Sequence, residues 1–357
     1  MRACLDRPNQ GPGVRTRRRL ARACASLLLL AAALPAAVAQ TTLVNVSYDV
    51  MRDFYAEVNT AFASAWRSRA GSDVTIQMRH GGSKGQARAV ADGLDADVIT
   101  MNEAVDIDLL AERGALVPTH WSARLPDRSA PFTSVTVFVV RRGNPKAIRD
   151  WSDLVRPGIQ VLVPNARTSG NGRYAYLNAW QYAWRQAGAA GQADPAAAAE
   201  SFVTSLFRNV LVLDSDGPVS NITFMRRAQG DVLVTFENEA LLIAKEYGRG
   251  NFEVVYPSLS VVVEPPVAVV DKVATRRGTR EVAQAYVDFL YSAQGQDIAA
   301  RNYLRPRNLA VLRQYATQFP PIVTFTVDES FGGWQRVQKT HFDVGGSYDR
   351  VLAAAGK

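Results

Sequence analysis

The sequence predicts an α/β protein of two lobes with a ligand cleft between them. Short β-type runs alternate with stretches of helical periodicity, which is typical of α/β layering. The 357 residues are enough for two domains. Two apolar segments, 134–140 and 265–270, stand where the chain could pass into a second lobe and return. Ligands usually bind in a cleft of this kind.

The first predicted helix shows the periodicity most clearly. From Met51 to Trp66 the apolar residues are three or one positions apart, which places them in one stripe of an amphipathic helix. A similar stripe runs from Val282 to Leu290, and further helices are predicted over 83–92 and 172–186. Strands are predicted over 41–47, 74–78, 97–100, 135–140, 160–163, 210–213, 232–236, 252–256, 259–263 and 267–270.

The N-terminus predicts an export signal over residues 1–39. A basic stretch at 15–22 precedes an apolar run that ends in Ala37-Val38-Ala39, and this order is typical of a cleaved secretory signal. Pro35 interrupts the run, which disfavours a transmembrane anchor. We therefore expect a periplasmic protein that keeps no membrane anchor after cleavage.

Removal of this segment changes the composition that bears on function. Seven arginines and one aspartate lie within 1–39, so the net charge of +8 falls to +2. That charge predicts no nucleic-acid partner. Both cysteines leave with the segment, and the histidines are His80, His120 and His341. These residues give a metal centre or a catalytic triad little to build on, so we expect no metal, no cofactor and no enzymatic activity.

The two apolar crossing segments divide the chain. We expect the first lobe to comprise residues 40–133 and 266–345, and the second lobe to comprise residues 134–265. Residues 346–357 are predicted to form a C-terminal tail. An alanine-rich patch at 188–199 has two interpretations, a helix hairpin or a loop.

Four loops share one design, in which a β-type run is followed by small or polar residues and then by a helix. They are Ser47–Asp49, His80–Ser83, Thr168–Gly172 and Asp214–Gly217. Backbone N–H groups at a helix N-terminus carry a partial positive charge and bind anions. Glycine lets an anion approach the backbone, and serine adds a hydroxyl donor. The same residues are also ordinary helix caps and turns, so both interpretations stay open.

The character of the donors indicates the kind of anion. A site of neutral donors suits an anion that has no proton to give, such as sulfate. Phosphate keeps a proton at neutral pH and benefits from a carboxylate acceptor, which would repel sulfate. Asp49 and the acids at 214–216 would weaken this interpretation if their carboxylates faced the ligand. As helix caps they would instead point at their own helices.

At these loops the chain resembles the periplasmic sulfate- and thiosulfate-binding proteins of bacterial ABC importers. The resemblance covers essentially the whole chain after residue 39. It rests on the order and spacing of NVSYD at 45–49, HGGS at 80–83, RRGNPK at 141–146, TSGN at 168–171, ENEA at 237–240, VVDK at 269–272 and FGGW at 331–334. It implies a periplasmic-binding-protein type II fold that closes on a dehydrated anion. It also implies a monomer whose partners are the membrane permease subunits of an ABC importer.

The resemblance also implies which residues hold the anion. They are a set of hydrogen-bond donors: the backbone N–H of Asp49, the hydroxyls of Ser83 and Ser169, and the backbone N–H groups of Gly170, Asn171 and Gly217. His80 and Arg173 are expected to support these loops without touching the ligand.

Phe236 departs from the sulfate-specific members, which carry a tryptophan at this position and donate its indole N–H. Phenylalanine cannot donate, and a hydrogen bond to a charged group contributes about 1.5–3 kcal/mol. The pair Asn171 and Phe236 looks like the thiosulfate-type branch, because an apolar ring edge suits the soft terminal sulfur of thiosulfate. We expect both anions to bind, with a lean toward thiosulfate.

Two other function classes stay open on the sequence alone. The same fold could bind phosphate, molybdate or tungstate. A periplasmic sulfurtransferase or hydrolase is the second alternative, although no cysteine remains after residue 39 to carry a persulfide.

Overall fold

The structure is a computed structural model that describes residues 41–246 and 250–357. The expected export signal at 1–39 lies outside the described residues. Within them, no helix has both the length and the apolar character that crossing a membrane requires.

The first ten strands of the described residues follow the predicted β-type runs closely, and two short strands, at 305–306 and 324–325, were not predicted. In chain order, the strands are β1 (Thr41–Tyr48), β2 (Val74–Gly81), β3 (Val98–Thr100), β4 (Phe132–Arg141), β5 (Val161–Leu162), β6 (Val210–Val212), β7 (Val232–Phe236), β8 (Phe252–Val255), β9 (Ser260–Val263), β10 (Val267–Val269), β11 (Arg305–Pro306) and β12 (Thr324–Phe325). The runs of β-branched residues form strands because their stiff side chains pack well on a pleated surface.

The helices cover the predicted stripes and several further segments. They are α1 (Arg52–Ala70), α2 (Ser83–Ala91), α3 (Ala104–Glu112), α4 (Gly170–Ala189), α5 (Pro195–Arg208), α6 (Gly217–Met225), α7 (Glu237–Glu246), α8 (Asp271–Arg277), α9 (Arg280–Phe289), α10 (Ala293–Arg301), α11 (Leu309–Gln314), α12 (Val327–Phe331), α13 (Trp334–Val337) and α14 (Ser347–Ala355). The alanine-rich patch at 188–199 is the turn between α4 and α5 together with the ends of both helices, which matches the helix hairpin.

The first sheet organises the first lobe. Its order is β10-β3-β1-β2, in which β1 is parallel to β2 and β3, and β10 is antiparallel to β3. Apolar cores lie on both sides. One contains Phe54, Phe62 and Trp66 of the predicted α1 stripe, and the other contains Ile99 and Leu110. The carboxyl ends of β1, β2 and β3 lie at one edge, because parallel strands run the same way.

The second sheet organises the second lobe around β4. Its main path is β12-β9-β4-β7-β5-β6, and β8 and β11 also pair with β4. β4 lies antiparallel to β7, β8 and β9, whereas β5 lies parallel to both β6 and β7. The two sheets, each with its own apolar cores, confirm the predicted two-lobed α/β fold.

The C-terminal part of the chain packs on the second lobe, which differs from the expected lobe limits. β12 pairs with β9 through Thr324 and Ser260, and Val327 and Phe342 lie in the same core as Phe138. The segment 324–345 therefore does not follow the first lobe. The expected tail at 346–357 contains α14, which buries Tyr348 in that core. Tyr348, Val351, Leu352 and Ala355 are three, one and three positions apart, so the sequence interpretation overlooked an amphipathic stripe in α14.

His341 gives the second lobe an acid-sensitive element. It is 5% exposed, its Nδ1 lies 3.1 Å from the Tyr176 hydroxyl, and its ring packs against Trp180. Burial lowers the pKa of His341 from 6.5 to about 4, and the Arg350 charge acts in the same direction. Between these two pH values the unfolded chain binds a proton that the folded chain does not. Stability is therefore lost as the pH falls from about 6.5 toward 4.

We expect His341→Gln to flatten this pH dependence. From pH 7 to pH 4 the unchanged protein should lose up to about 3 kcal/mol more unfolding free energy than the variant. Urea unfolding at both pH values measures the difference, and His120→Gln, at an exposed histidine, is the matched control. An equal loss in the His341 variant and the unchanged protein would show that this imidazole does not titrate on unfolding.

Candidate functional site

All four predicted loops meet at one small cavity. Its lining includes every residue predicted to hold the ligand: Asp49, Ser83, Ser169, Gly170, Asn171, Gly217 and Phe236. The loops that follow β1 and β2 belong to the first lobe, and those that precede α4 and α6 belong to the second. The cavity therefore lies in the cleft between the lobes, where closure can enclose a small ligand.

Three helices begin at the cavity. α2 starts at Ser83, α4 at Gly170 and α6 at Gly217. The first N–H groups of a helix have no partner inside the helix, and the aligned peptide dipoles add a partial positive charge there. Convergence of three such ends gives the cavity an anion-attracting character without any basic side chain in its lining.

The cap interpretation holds for only some of these residues. The Asp216 side chain accepts the Val219 N–H at 2.9 Å, and the Asp49 carboxylate accepts the Val50 N–H at 3.0 Å. One oxygen of each carboxylate is thus held by the backbone of its own segment. Ser169 stands at the N-cap of α4, but its hydroxyl makes no capping hydrogen bond. That hydroxyl remains available to a ligand in the cavity.

The loops before α4 and α6 are tied to each other. The Thr168 hydroxyl donates to the Ser215 carbonyl oxygen at 2.7 Å, and the Asn165 N–H donates to the Asp214 carbonyl oxygen at 2.8 Å. These bonds hold two of the four loops of the site in a fixed relation. The second lobe therefore presents its donors as one preformed surface.

Phe236 and Asn171 line the same wall of the cavity. Phe236 is 2% exposed, and its ring meets Tyr174 edge-on with centroids 5.7 Å apart. Nδ2 of Asn171 donates to Thr235 Oγ1 at 3.0 Å and to Glu239 Oε1 at 3.3 Å. The wall therefore offers the ligand an apolar ring, while the side-chain amide group of Asn171 donates to protein partners.

Glu239 is a cavity residue that the sequence interpretation missed. Its neighbour Glu237 pairs with Arg305 at 2.6 Å. Glu239 instead accepts from uncharged donors, including Asn221 Nδ2 at 2.9 Å. Burial raises the pKa of Glu239 to about 7 and that of Asp49 to about 6. Burial therefore favours the uncharged form of both acids, and a nearby anion favours it further.

Asn102 also lines the cavity and was not predicted. Asn102 follows β3, just as two of the predicted loops follow β1 and β2. A search of every loop that follows a predicted strand could therefore have identified it. Asn102 brings the first lobe close to the second, because the Tyr174 hydroxyl donates to its carbonyl oxygen at 3.3 Å. A methyl group on Gly170 would lie 2.5 Å from Glu103 Oε1 and closer still to Asn102 Nδ2.

His80 and Arg173 lie behind the cavity and do not line it. His80 Nδ1 lies 3.2 Å from the Tyr48 carbonyl oxygen, and burial lowers the pKa of His80. Arg173 is 3% exposed, and its Nε donates to the Ala166 carbonyl oxygen at 3.0 Å. Both residues brace the backbone of loops that reach the cavity.

A larger cavity of about 300 Å³ lies elsewhere, beside Trp121 and Trp334. Two of its acidic groups have partners: Asp108 accepts the Trp121 indole N–H at 2.9 Å, and Glu264 pairs with Arg128 at 3.1 Å. The smaller cavity is the better candidate because donors from both lobes converge there. Among the described residues, no cluster of three or more His, Cys, Asp or Glu side chains could hold a metal ion.

Known proteins resemble this chain over most of its length. The thiosulfate-binding protein of Pseudomonas aeruginosa is 57% identical over 330 residues, which cover 92% of this chain and 98% of that protein. The sulfate-binding protein of Escherichia coli is 48% identical over 325 residues, which cover 91% and 97%. Both relatives are named as binding proteins rather than as enzymes.

A solved structure and a family model agree with these relatives. The sulfate-binding protein of Mycobacterium tuberculosis matches the fold with a TM-score of 0.75 at 33% identity, over 85% of this chain and 100% of that one. The family model described as bacterial extracellular solute-binding protein matches residues 43–305. The chain therefore belongs to the family of bacterial extracellular solute-binding proteins.

Proposed function

We propose that this protein captures sulfate or thiosulfate in the periplasm and delivers it to the membrane permease of an ABC importer. One observation carries the proposal: donors on four loops, from both lobes, converge on a single small cavity. The relatives named for thiosulfate and for sulfate bind anions that such a donor set suits.

The proposed binding mode uses uncharged donors. The backbone N–H groups of Asp49, Gly170, Asn171 and Gly217 would meet the anion together with the hydroxyls of Ser83 and Ser169. Contacts from both lobes are available only when the cleft is closed, so the anion itself favours closure. The permease can then distinguish the loaded protein from the empty one by its shape. We infer that the protein acts as a monomer in this cycle, since one chain supplies every donor.

The lining favours anions that carry no proton. Burial raises the pKa of Glu239 to about 7, and Oδ1 of Asp49 and Oδ1 of Asp216 each accept a backbone N–H group, so the lining offers few free acceptors for a ligand proton. Phosphate at neutral pH carries a proton and loses affinity where a free carboxylate acceptor is lacking. Sulfate and thiosulfate avoid this cost.

Phe236 decides the preference between the two sulfur anions in this account. Its ring edge offers no hydrogen bond to a sulfate oxygen but fits a thiosulfate terminal sulfur, which accepts hydrogen bonds weakly. The 57% identical relative is named for thiosulfate and the 48% identical relative for sulfate. We infer that both anions bind and that thiosulfate is preferred.

We expect Phe236→Trp to shift the ratio of the two dissociation constants toward sulfate by about tenfold, because an indole N–H would restore one hydrogen bond to a charged oxygen. We compare the ratio of the dissociation constants because overpacking of this buried position would weaken the binding of both anions to the same extent. Competition between labelled sulfate and unlabelled thiosulfate gives it directly. An unchanged ratio, or a shift toward thiosulfate, would remove Phe236 from the selectivity of the site.

Thermal unfolding tests the proposed function quickly. Anion that binds only the folded protein raises the melting temperature by mass action. Sulfate and thiosulfate should raise it at micromolar concentrations, whereas phosphate, molybdate and tungstate should not. A rise of the melting temperature with phosphate alone would show that the site binds phosphate instead of a sulfur anion. Catalytic turnover of thiosulfate with a thiol acceptor would instead favour a sulfurtransferase.

A further inference from the structure

Asn102 lines the cavity but is not among the donors of the proposed binding mode. It follows β3 in the first lobe and is 5% exposed, and Gly170 lines the cavity beside it. A side-chain amide has two N–H donors and carries no charge. It is therefore the kind of group that a site built from neutral donors uses.

The main chain of Asn102 is held from both lobes. Its N–H donates to Ser83 Oγ at 2.9 Å, and its carbonyl oxygen accepts the Tyr174 hydroxyl at 3.3 Å. Ser83 Oγ in turn donates to Asp106 Oδ2 at 2.6 Å, which fixes the start of α2. The Asn102 side chain therefore projects from a well-defined position when the two lobes are in contact.

The Asn102 amide lies against the first residue of α4. A methyl group on Gly170 would lie 2.8 Å from Cγ of Asn102 and closer still to its Nδ2. The amide thus occupies the space that a side chain at position 170 would need. Because the expected N–H donor of Gly170 is attached to the same Cα atom, an anion bound there lies within reach of the Asn102 amide.

The oxygen of this amide has no protein partner. Oδ1 of Asn102 is buried and accepts no hydrogen bond from the residues that the structure describes. Buried polar atoms nearly always have a partner, so an unpartnered one indicates that a ligand, an ion or water completes the site. Oδ1 of Asn171 is also unpartnered, but the amide nitrogen of Asn171 already donates to Thr235 and Glu239. The hydrogen bonds that Asn102 makes to described residues come from its main chain.

We propose that Asn102 is a ligand-binding residue whose side-chain amide donates a hydrogen bond, from the first lobe, to an oxygen of the bound anion. This proposal rests on the proposed function. Rotation of the amide about its Cβ–Cγ bond exchanges the positions of the oxygen and the nitrogen. An anion selects the orientation in which an N–H group faces it, because the amide oxygen would repel it.

Asn102 also supplies a donor that Phe236 lacks. Phe236 lines the same cavity, and its side chain has no N–H or O–H group. The Asn102 amide adds one uncharged donor, on the first lobe rather than on the second-lobe wall. Since sulfate and thiosulfate both present oxygens, this donor strengthens the binding of both anions, whereas Phe236 distinguishes between them.

Two substitutions separate donation from packing. Asn102→Leu and Asn102→Ala both remove the donor, but only Asn102→Leu keeps a branched side chain of similar size. We expect each of them to raise the dissociation constants for sulfate and thiosulfate by about 10- to 100-fold, the effect of one hydrogen bond to a charged group. Asn102→Val takes the place of either variant that does not fold.

Asn302 provides the matched control. It also lies in the first lobe, but its Nδ2 donates to Glu57 Oε2 at 2.7 Å and it does not line the cavity. Asn302→Leu should therefore leave both dissociation constants unchanged. Calorimetric titration with sulfate and with thiosulfate measures all four proteins, and urea unfolding establishes beforehand that each is folded.

The pattern of losses decides between the interpretations. Loss of affinity in both Asn102 variants, with the Asn302 variant unchanged, supports the proposal. Loss in only one of the two would show that Asn102 acts by packing between the lobes, and unchanged affinity in both would remove it from the site; either result overturns the proposal. Failure of the unchanged protein to bind either sulfur anion would contradict the proposed function itself, which is a distinguishable result.

Discussion

Gly170→Ala is expected to lower anion affinity by about 10- to 100-fold. The added methyl would lie 2.5 Å from Glu103 Oε1 and closer still to Asn102 Nδ2, and both residues belong to the opposite lobe. Overpacking of a tight contact costs about 1–3 kcal/mol. Here that cost falls on the closed form, because the clash is between lobes. The open form, and therefore the stability of each lobe, should change little.

A second glycine of the same helix provides the control. Gly188 lies near the end of α4, and a methyl group there would meet nothing within 4 Å. Gly188→Ala should leave the dissociation constant unchanged and stabilise the helix by up to about 1 kcal/mol. Equal affinities of the two variants would show that the lobes do not approach each other at Gly170 when the anion binds.

Ser169→Ala should lower affinity for sulfate and thiosulfate by about 10- to 100-fold, with almost no change in the free energy of unfolding. Ser169 stands at an N-cap, yet its hydroxyl makes no capping hydrogen bond. Removal of this hydroxyl therefore breaks no hydrogen bond of the helix, but it removes one hydrogen-bond donor to the anion. A hydrogen bond to a charged group is worth about 1.5–3 kcal/mol.

Ser292 provides a control with the opposite expectation, because its hydroxyl caps a helix and does not line the cavity. It is the N-cap of α10, and its hydroxyl accepts the Gly295 N–H at 3.0 Å. Ser292→Ala should cost about 1 kcal/mol of stability and leave affinity unchanged. If Ser169→Ala instead loses stability and keeps its affinity, the cap interpretation of the sequence was right for this loop.

Much of the site could be predicted from the sequence because its loops stand between a recognisable β-type run and a recognisable helix. A β-type run precedes Ser83 and Ser169 at short distance, and a helix follows each of them. Glycines stand beside both serines, where the backbone approaches the cavity. These features are local in the sequence, so they can be recognised without knowledge of the tertiary fold.

The parts that were missed depend on long-range packing. Asp106 lies 23 residues from Ser83 and is brought to it only because α3 packs beside α2. Glu239 resembles its neighbour Glu237 in sequence, but Glu237 pairs with Arg305, whereas Glu239 accepts from the uncharged side chains of Asn171, Asn221 and Thr235. The placement of 324–357 on the second lobe likewise depends on β12 finding the edge of β9. No local pattern reports such contacts.

The most direct test of the proposed function is calorimetric titration of residues 40–357, stripped of bound anion. Sulfate, thiosulfate, phosphate and molybdate are titrated in turn into the same preparation. We expect tight binding of one thiosulfate or one sulfate per chain, with thiosulfate the tighter of the two, and no heat of binding with phosphate or molybdate. Tight binding of phosphate or molybdate, or no heat with any of the four, would contradict the proposed function.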